Sequence, residues 1–241
     1  MPAVSSERGP VWVVLPTYEE ATNIERLVTE VRTKLPADAQ ILIVDDDSPD
    51  GTGRIAARLA EEQKAVHVLH RRAKEGLGPA YIAGFREALG AGAGLIVEMD
   101  ADFSHEPAYL PRLLEAVGRA DLAIGSRYAP GGAVGDWGPL RRAVSRGGST
   151  YARLVLGLGV HDLTGGFKCF RREVLEAIDL GAVRSRGYAF QVEMTYRAIQ
   201  LGFDVVEVPI VFRDREAGSS KMSRSIMLEA IWRVPLLRWG R

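Results

Sequence analysis

The chain has 241 residues, enough for one large domain or two small ones with a substantial core. Its 31 Lys and Arg balance 31 Asp and Glu, so nothing global calls for a nucleic-acid partner, and its 46% hydrophobic content is ordinary for a globular fold. A single cysteine, Cys169, excludes an internal disulfide and makes a reducing compartment the default. The opening MPAVSSERGP has no apolar core and does not read as a signal peptide, and no apolar run is long enough to cross a bilayer. A cytoplasmic location is expected, with peripheral attachment to the inner face of a membrane left open.

Residues 1–9 read as a disordered start. VWVVL (11–15) is a short apolar run with β-branched residues, expected as a buried strand. From Asn23 to Leu35, Ile24, Leu27, Val28 and Val31 fall at helical spacing, and Pro36 stops the helix. ILIV (41–44) is the second strand. Thr52 to Gln63 is a helix with Ile55, Ala56, Leu59 and Ala60 on one face. VHVLH (66–70) is the third strand, and Pro79 to Leu89 a helix with proline in its first turn. LIVEM (95–99), Leu110 to Val117 and DLAIGS (121–126) follow as strand, helix and strand.

The second half is less regular. Residues 127–140 form a Gly/Pro loop, Arg141 to Leu156 a long helix, 164–170 a turn and a strand, and Arg172 to Ile178 a short helix. Gln191 to Leu201 is a helix, 204–215 a strand, and 216–223 a polar loop. Residues 225–238 read as amphipathic and basic, with Pro235 breaking the helix in its last turn. Strands alternating with helices define the expected class: α/β, with a mostly parallel central sheet covered on both faces. Such sheets bind ligands beyond the carboxyl ends of their strands. DDDSPDGTG after the second strand, RRAKEGLGPAY after the third and DAD at the fourth are expected to meet at one site.

Asp100 and Asp102 are one residue apart, which puts both carboxylates on one side of an extended segment. Oxygen ligands at a strand end suit Mg²⁺ or Mn²⁺ completed by substrate phosphates; the alternative is a solvated loop with an aspartate helix cap. Gly76 and Gly78 follow Arg71, Arg72 and Lys74. Glycine admits close backbone approach and the basic residues neutralise phosphate, although such a turn can also be purely structural. The stretch is neither a Walker A nor a G-x-G-x-x-G sequence. Of the aspartates after the second strand, one can cap the next helix, while Asp45, Asp46 and Asp47 together exceed what capping needs. An aspartate there can accept hydrogen bonds from a nucleobase or ribose. His67 and His70 point to opposite faces of their strand and the other histidines are scattered, so no histidine metal site is expected. Cys169 reads as a small buried residue.

PTYEEATNI (16–24), VDDDSPDGT (44–52), GLGPAY (76–81), MDADFSHEP (99–107), GSRY (125–128), TGGFK (164–168), GYAFQVEM (187–194) and RDREAGSSKMS (213–223) occur in this order. Over about residues 10–225 the chain resembles the inverting GT-A glycosyltransferases of family 2. More narrowly it is similar to the dolichol-phosphate or polyprenol-phosphate mannose synthases. M-D-A-D-x-S-H-x-P together with R-x-x-G-x-S-K is the more specific part of the resemblance. The resemblance implies a GT-A, Rossmann-like domain over 10–224 and transfer of mannose from GDP-mannose to polyprenyl phosphate. It also implies that Pro16, Tyr18, Glu20, Val44 and Asp46 hold the nucleoside, and that Asp100, Ala101 and Asp102 hold the metal and donor phosphates. Arg215 and Lys221 would close over the diphosphate. Ser104 falls where some relatives carry a metal-site Gln; its shorter hydroxyl would act through water.

Asp102 and Arg127 are the residues expected to carry catalysis. The acceptor is already a phosphate anion and needs positive groups more than a base. Arg127, Arg142, Ser145 and Arg146 supply cations and a hydroxyl for it, with a solvated basic helix face as the alternative for the run 141–146. UDP-glucose as donor and a non-catalytic nucleotide-sugar-binding subunit are the rival readings. The tail 225–241 carries Ile226, Met227, Ile231, Trp232, Val234, Leu236, Leu237 and Trp239 among Arg224, Arg233, Arg238 and Arg241. That composition suits a membrane surface, or else a helix packed on the catalytic domain. A lipidic acceptor also leaves room for a membrane-protein partner subunit.

Overall fold

The computed structural model describes residues 9–135, 137–185, 187–213 and 224–239, with the side chains of 224–231 excepted. The expected start at 1–9 and the segment 214–223 lie outside the described residues, apart from Gly9.

The first half alternates as expected: β1 (Val11–Thr17), α1 (Ile24–Lys34), β2 (Gln40–Asp45), α2 (Thr52–Glu62), β3 (Val66–His70), α3 (Leu77–Gly90), β4 (Leu95–Glu98), a 3₁₀ turn (Pro107–Tyr109), α4 (Leu110–Ala116) and β5 (Leu122–Ser126). Then come β6 (Ala133–Val134), α5 (Pro139–Leu156), β7 (Lys168–Arg171), α6 (Arg172–Ala177), α7 (Gly187–Gln200), β8 (Val205–Pro209), β9 (Val211–Phe212) and α8 (Arg224–Trp239). Seven strands form one sheet in the order β3-β2-β1-β4-β7-β5-β8. All its pairings are parallel except those of β7, which runs antiparallel between β4 and β5.

The two faces of the sheet follow from strand periodicity. Val11, Val13 and Leu15 of β1 join one core with Ile24, Leu27, Val28 and Val31 of α1 and Leu113 of α4. Trp12 and Val14 join the other with Tyr81 and Phe85 of α3, Phe190 of α7 and Val234 of α8. Cys169 is buried in the first core, as its isolation in the sequence implied.

Three expectations change. The expected strand 204–215 divides: β8 stays in the main sheet, while β9 pairs with β6 in a two-stranded sheet. Proline at 209 has no N–H to continue the ladder, and Ile210 instead donates to Ser126 O at 3.0 Å and accepts from Ala133 N at 2.9 Å. The Gly/Pro loop at 127–140 accordingly contains a short strand. Pro235 does not end α8, which continues to Trp239. The helix is held on both sides of the proline: Val234 is buried in the core, and Arg238 Nη1 donates to Val155 O at 2.5 Å. Among the described side chains of α8, Val234 is buried while Trp232 is 76% and Trp239 67% exposed.

From β1 the chain moves outward through β2 and β3, then crosses to β4 on the other side. The carboxyl ends of β1, β2 and β4 therefore face one crevice at the point where strand order reverses, the position at which such sheets bind ligands.

Candidate active site

The loops after β1 and β2 build each other. Glu20 N–H donates to Thr52 Oγ1 at 2.9 Å, Ala21 N–H to Asp50 Oδ2 at 3.0 Å and Glu19 N–H to Ser48 Oγ at 3.2 Å. Asp50 also accepts from Thr52 N and Oγ1, and these bonds outweigh burial and hold its carboxyl below the usual range. Asp50 thus takes the N–H of Thr52, the first residue of α2, while Gly51 occupies the N-cap position. Asp45 and Asp46 are both buried; Asp46 accepts from Arg71 Nη1 and from Gly76 N–H at 3.3 Å. Burial raises its pKa despite Arg71. Arg71 also reaches Glu75, and Lys74 Nζ lies 3.6 Å from the centre of the Tyr18 ring. The basic loop after β3 therefore closes over Tyr18 and Asp46 together.

Pro16 is paired with Val44 across β1 and β2, so these two sit side by side at the base of the crevice. The Val44 side chain is in the core, leaving only its backbone toward the site. Glu20 is buried and accepts from Asn23 Nδ2 at 2.8 Å. Gly76 has φ 101°, a backbone state that requires glycine. Gly78 lies in the first turn of α3, where a Cβ would stand 3.1 Å from both Ser185 O and the Phe190 ring. Its missing side chain serves the packing of α3 on α7.

The third loop carries the two carboxylates. Asp100 follows β4; its Oδ1 accepts from Tyr81 OH at 3.1 Å and its N–H donates to His105 Nδ1 at 3.0 Å. Asp102 Oδ1 accepts from Ser104 N–H at 3.0 Å. Ala101 is buried between the two. Among the described residues, Glu19, Asp47 and Phe103, one in each of the three loops, are the non-glycine residues with positive φ, at 56°, 58° and 61°. Backbone strain of this kind persists where surrounding structure imposes it, and it gathers at functional sites.

Among the described residues no group of three or more His, Cys, Asp or Glu is arranged to hold a metal. Two carboxylates at a strand end are nonetheless a hard-cation donor set that a diphosphate completes. Ser104 Oγ, beside Asp102, is buried without a hydrogen-bond partner, an orphan that an ion or its water would satisfy. The residues present fit a small divalent cation.

Behind this loop lies a buried charge pair. Glu98 and Lys168 face each other across β4 and β7, and Lys168 Nζ stands 3.4 Å from Glu98 Oε1. The ammonium also donates to Gln191 O at 2.9 Å and Oε1 at 2.5 Å. Burial raises the Glu98 pKa to about 7 against the pull of Lys168.

On the far side, Arg127 at the end of β5 is buried and bound to buried Asp162. Its backbone N, Nε and Nη2 donate to that carboxylate at 2.9, 2.7 and 2.7 Å, and Nη2 donates to Thr164 Oγ1 at 2.8 Å. Burial opposes the Asp162 charge, but Arg127 outweighs it and holds the pKa low. The pair is neutral as a unit. Asp162 is held in turn by Glu207, which accepts from the N–H groups of His161 and Asp162. Ser145 accepts from Tyr128 OH at 2.6 Å, and Arg142 Nη2 donates to Gly135 O at 2.8 Å. Arg142 and Arg146 are exposed on α5 on this side of the sheet. Arg215 and Lys221 lie outside the described residues.

Tyr81, His105, Asp162, Lys168 and Gln191 were not singled out from the sequence. Most lie inside or beside the quoted motifs, and that adjacency was the available signal; their partners become visible only in three dimensions.

The acidic pair follows β4 at the carboxyl end of the sheet, and the exposed arginines lie on α5. Residues 12–179 match the family described as glycosyl transferase family 2. The chain belongs to that family and is a glycosyltransferase. It is 53% identical to the polyprenol monophosphomannose synthase of Mycolicibacterium smegmatis over 95% of this chain and 86% of that protein. It is 51% identical to the undecaprenyl-phosphate mannosyltransferase of Micrococcus luteus over 95% of this chain and 93% of that one. Among solved structures it resembles glucosyl-3-phosphoglycerate synthase from Mycobacterium tuberculosis in complex with Mn²⁺, UDP and glucosyl-3-phosphoglycerate. That likeness has a TM-score of 0.71 at 17% identity, covering 96% of this chain and 80% of that chain. It bears out the expected GT-A-type fold.

Proposed function

We propose that the chain transfers mannose from GDP-mannose to a polyprenyl phosphate with inversion at the sugar, yielding polyprenyl-phosphate mannose and GDP. The observation that carries the reading is the identity above 50%, along 95% of the chain, to two proteins named for mannosyl transfer in polyprenyl-phosphate chemistry. Asp100 and Asp102 beyond β4, the Arg71–Asp46 contact and the exposed arginines of α5 support it.

In this reading Pro16, Tyr18, Glu20, Val44, Asp46 and Gly76 receive the nucleoside, with Asp46 and the Lys74–Tyr18 contact on its polar rim. Asp100, Asp102 and, through water, Ser104 hold Mg²⁺ or Mn²⁺. When bound, the ion compensates the charge that grows on the departing diphosphate. Arg215 and Lys221 add cationic charge to the same leaving group. The acceptor phosphate oxygen attacks the anomeric carbon as the bond to the diphosphate breaks, and it needs no general base. Arg142 and Arg146 lower the repulsion between the two anions. Arg127, locked to Asp162, orients the acceptor side by hydrogen bonding more than by net charge.

The lipid acceptor places the protein at a membrane surface. No helix among the described residues is long and apolar enough to cross a bilayer. Trp232, Leu236 and Trp239 are exposed on α8, and Leu140 and Val144 are exposed beside the arginines of α5, a helix packed against α8. Such side chains suit reversible attachment to anionic lipid, each basic residue contributing about 1 kcal/mol.

The test is product configuration. With GDP-mannose, a polyprenyl phosphate and Mg²⁺ or Mn²⁺, the protein should form a lipid-linked mannose whose anomeric configuration is opposite to the donor's. Retained configuration would overturn the direct displacement, and absence of a lipid product would overturn the acceptor.

A further inference from the structure

Asp100 is gripped from two directions by groups that play no other part in the proposed reaction. Its side chain is 29% exposed, in a loop otherwise almost wholly buried. From beneath, Tyr81 OH donates to Oδ1 at 3.1 Å. Tyr81 is itself fully buried, with its ring stacked 5.7 Å from Phe85 and 6.0 Å from Phe190. It reaches this position because α3 lies close on the sheet at Gly84, where a Cβ would meet Val14 Cγ1 at 2.4 Å. From the other end of the loop, His105 Nδ1 accepts the Asp100 N–H at 3.0 Å. An Nδ1 that accepts leaves the ring proton on Nε2. The ring cannot swing away: it stacks on Phe167 at 5.0 Å and meets Phe212 edge-on at 5.5 Å.

The bond from Asp100 to His105 closes a loop of six residues. Within it Phe103 takes a positive φ of 61°, and Ser104 N–H ties back to Asp102 Oδ1. The strained turn and the two clamps set both carboxylates before any ligand arrives. Like charges on residues one apart in sequence disfavour this arrangement in the free protein, and the clamps hold it.

We infer that Tyr81 and His105 are positioning residues that fix the Asp100 carboxylate for a small divalent cation, Tyr81 through the side chain and His105 through the backbone. This rests on the cation reading under the proposed function. Partners that orient a ligating group contribute about 10- to 100-fold in metal affinity. Fixed geometry also favours Mg²⁺, which demands near-ideal octahedral placement, over Ca²⁺, which accepts irregular sites.

The experiment measures cation binding without turnover, by the electron paramagnetic resonance signal of free Mn²⁺ titrated with protein in the presence of GDP. Tyr81→Phe should weaken Mn²⁺ binding about 10-fold while retaining the aromatic stack and the circular dichroism of the wild type. His105→Leu, which cannot accept the Asp100 N–H, should weaken it at least as much. His105→Asn, whose oxygen can accept, should recover part of the loss. Competition with Mg²⁺ and Ca²⁺ should show that Tyr81→Phe loses Mg²⁺ affinity more than Ca²⁺ affinity, a change that general loosening would not produce. Mn²⁺ affinity within about twofold of wild type in folded Tyr81→Phe, or equal losses for Mg²⁺ and Ca²⁺, would overturn the inference. If Tyr81→Phe does not fold, the Leu and Asn variants of His105 decide, and equal affinities in those two would overturn it. Wild type that makes mannolipid beside unaffected variants sinks this inference alone. Wild type that binds Mn²⁺ and GDP, shows these losses and makes no mannolipid sinks the proposed function alone. Wild type that binds neither Mn²⁺ nor Mg²⁺ sinks both.

Discussion

Asp162→Asn is expected to be one of the most damaging isosteric changes in the molecule. The carboxylate is fully buried and accepts three hydrogen bonds from Arg127, at 2.9, 2.7 and 2.7 Å. Asparagine fills the same space but has one acceptor oxygen, and its NH₂ would face Nε–H or Nη2–H of Arg127. One charge-assisted bond is lost, about 1.5–3 kcal/mol, and a buried guanidinium is left without its counter-charge. Breaking a buried pair from one side costs about 3–5 kcal/mol in total, a large share of the roughly 5–15 kcal/mol that holds a domain. For a chain of this size that is a fall in Tm of roughly 6–20 °C. Thermal and urea unfolding followed by circular dichroism would measure it. Arg127→Met in the Asp162→Asn background should recover part of the loss, because the buried charge is then gone, and the double-mutant cycle should show strong coupling. A loss below about 1 kcal/mol, or strictly additive single changes, would refute the reasoning.

Glu98 has a pKa raised from 4.5 to about 7 by burial, so between those values the folded state binds more protons than the unfolded one. Stability from this group is present below pH 4.5 and is lost as pH rises through about 7. Urea midpoints of the metal-free protein at pH 5 and pH 8 should therefore differ less in Glu98→Gln than in wild type; an equal difference in both would remove Glu98 as the cause. Trp232→Ala with Trp239→Ala should lower recovery with anionic liposomes in flotation, more so at high salt, because both side chains are exposed on α8. Unchanged flotation would show that this face is not the attachment surface.

What could be read from the sequence was local. VWVVL, ILIV and the helical stripe from Ile24 to Val31 carry their own periodicity, and each became the expected element. The placement of Asp100 and Asp102 beyond a buried strand was legible for the same reason. Pairings between distant segments were not. Nothing near residues 168–171 announces that this strand enters the sheet antiparallel between β4 and β5. The partition of 204–215 depends on β6, a strand too short to leave a pattern. The partner of Arg127 lies 35 residues away and is met only in the fold. Pro235 read as a helix end because propensity was weighed without the core contact of Val234. His105 stood inside a quoted motif, yet its hydrogen bond to Asp100 exists only because Phe103 turns the loop back.

The central claim is most directly tested by lipid product formation from GDP-mannose and, separately, from UDP-glucose, with a polyprenyl phosphate and Mg²⁺ or Mn²⁺, in wild type and Asp102→Ala. The account predicts mannolipid from GDP-mannose alone, lost in Asp102→Ala while GDP-independent folding is retained. Glucolipid from UDP-glucose in its place would contradict the donor, and undiminished mannolipid in Asp102→Ala would contradict the carboxylate site on which the mechanism is built.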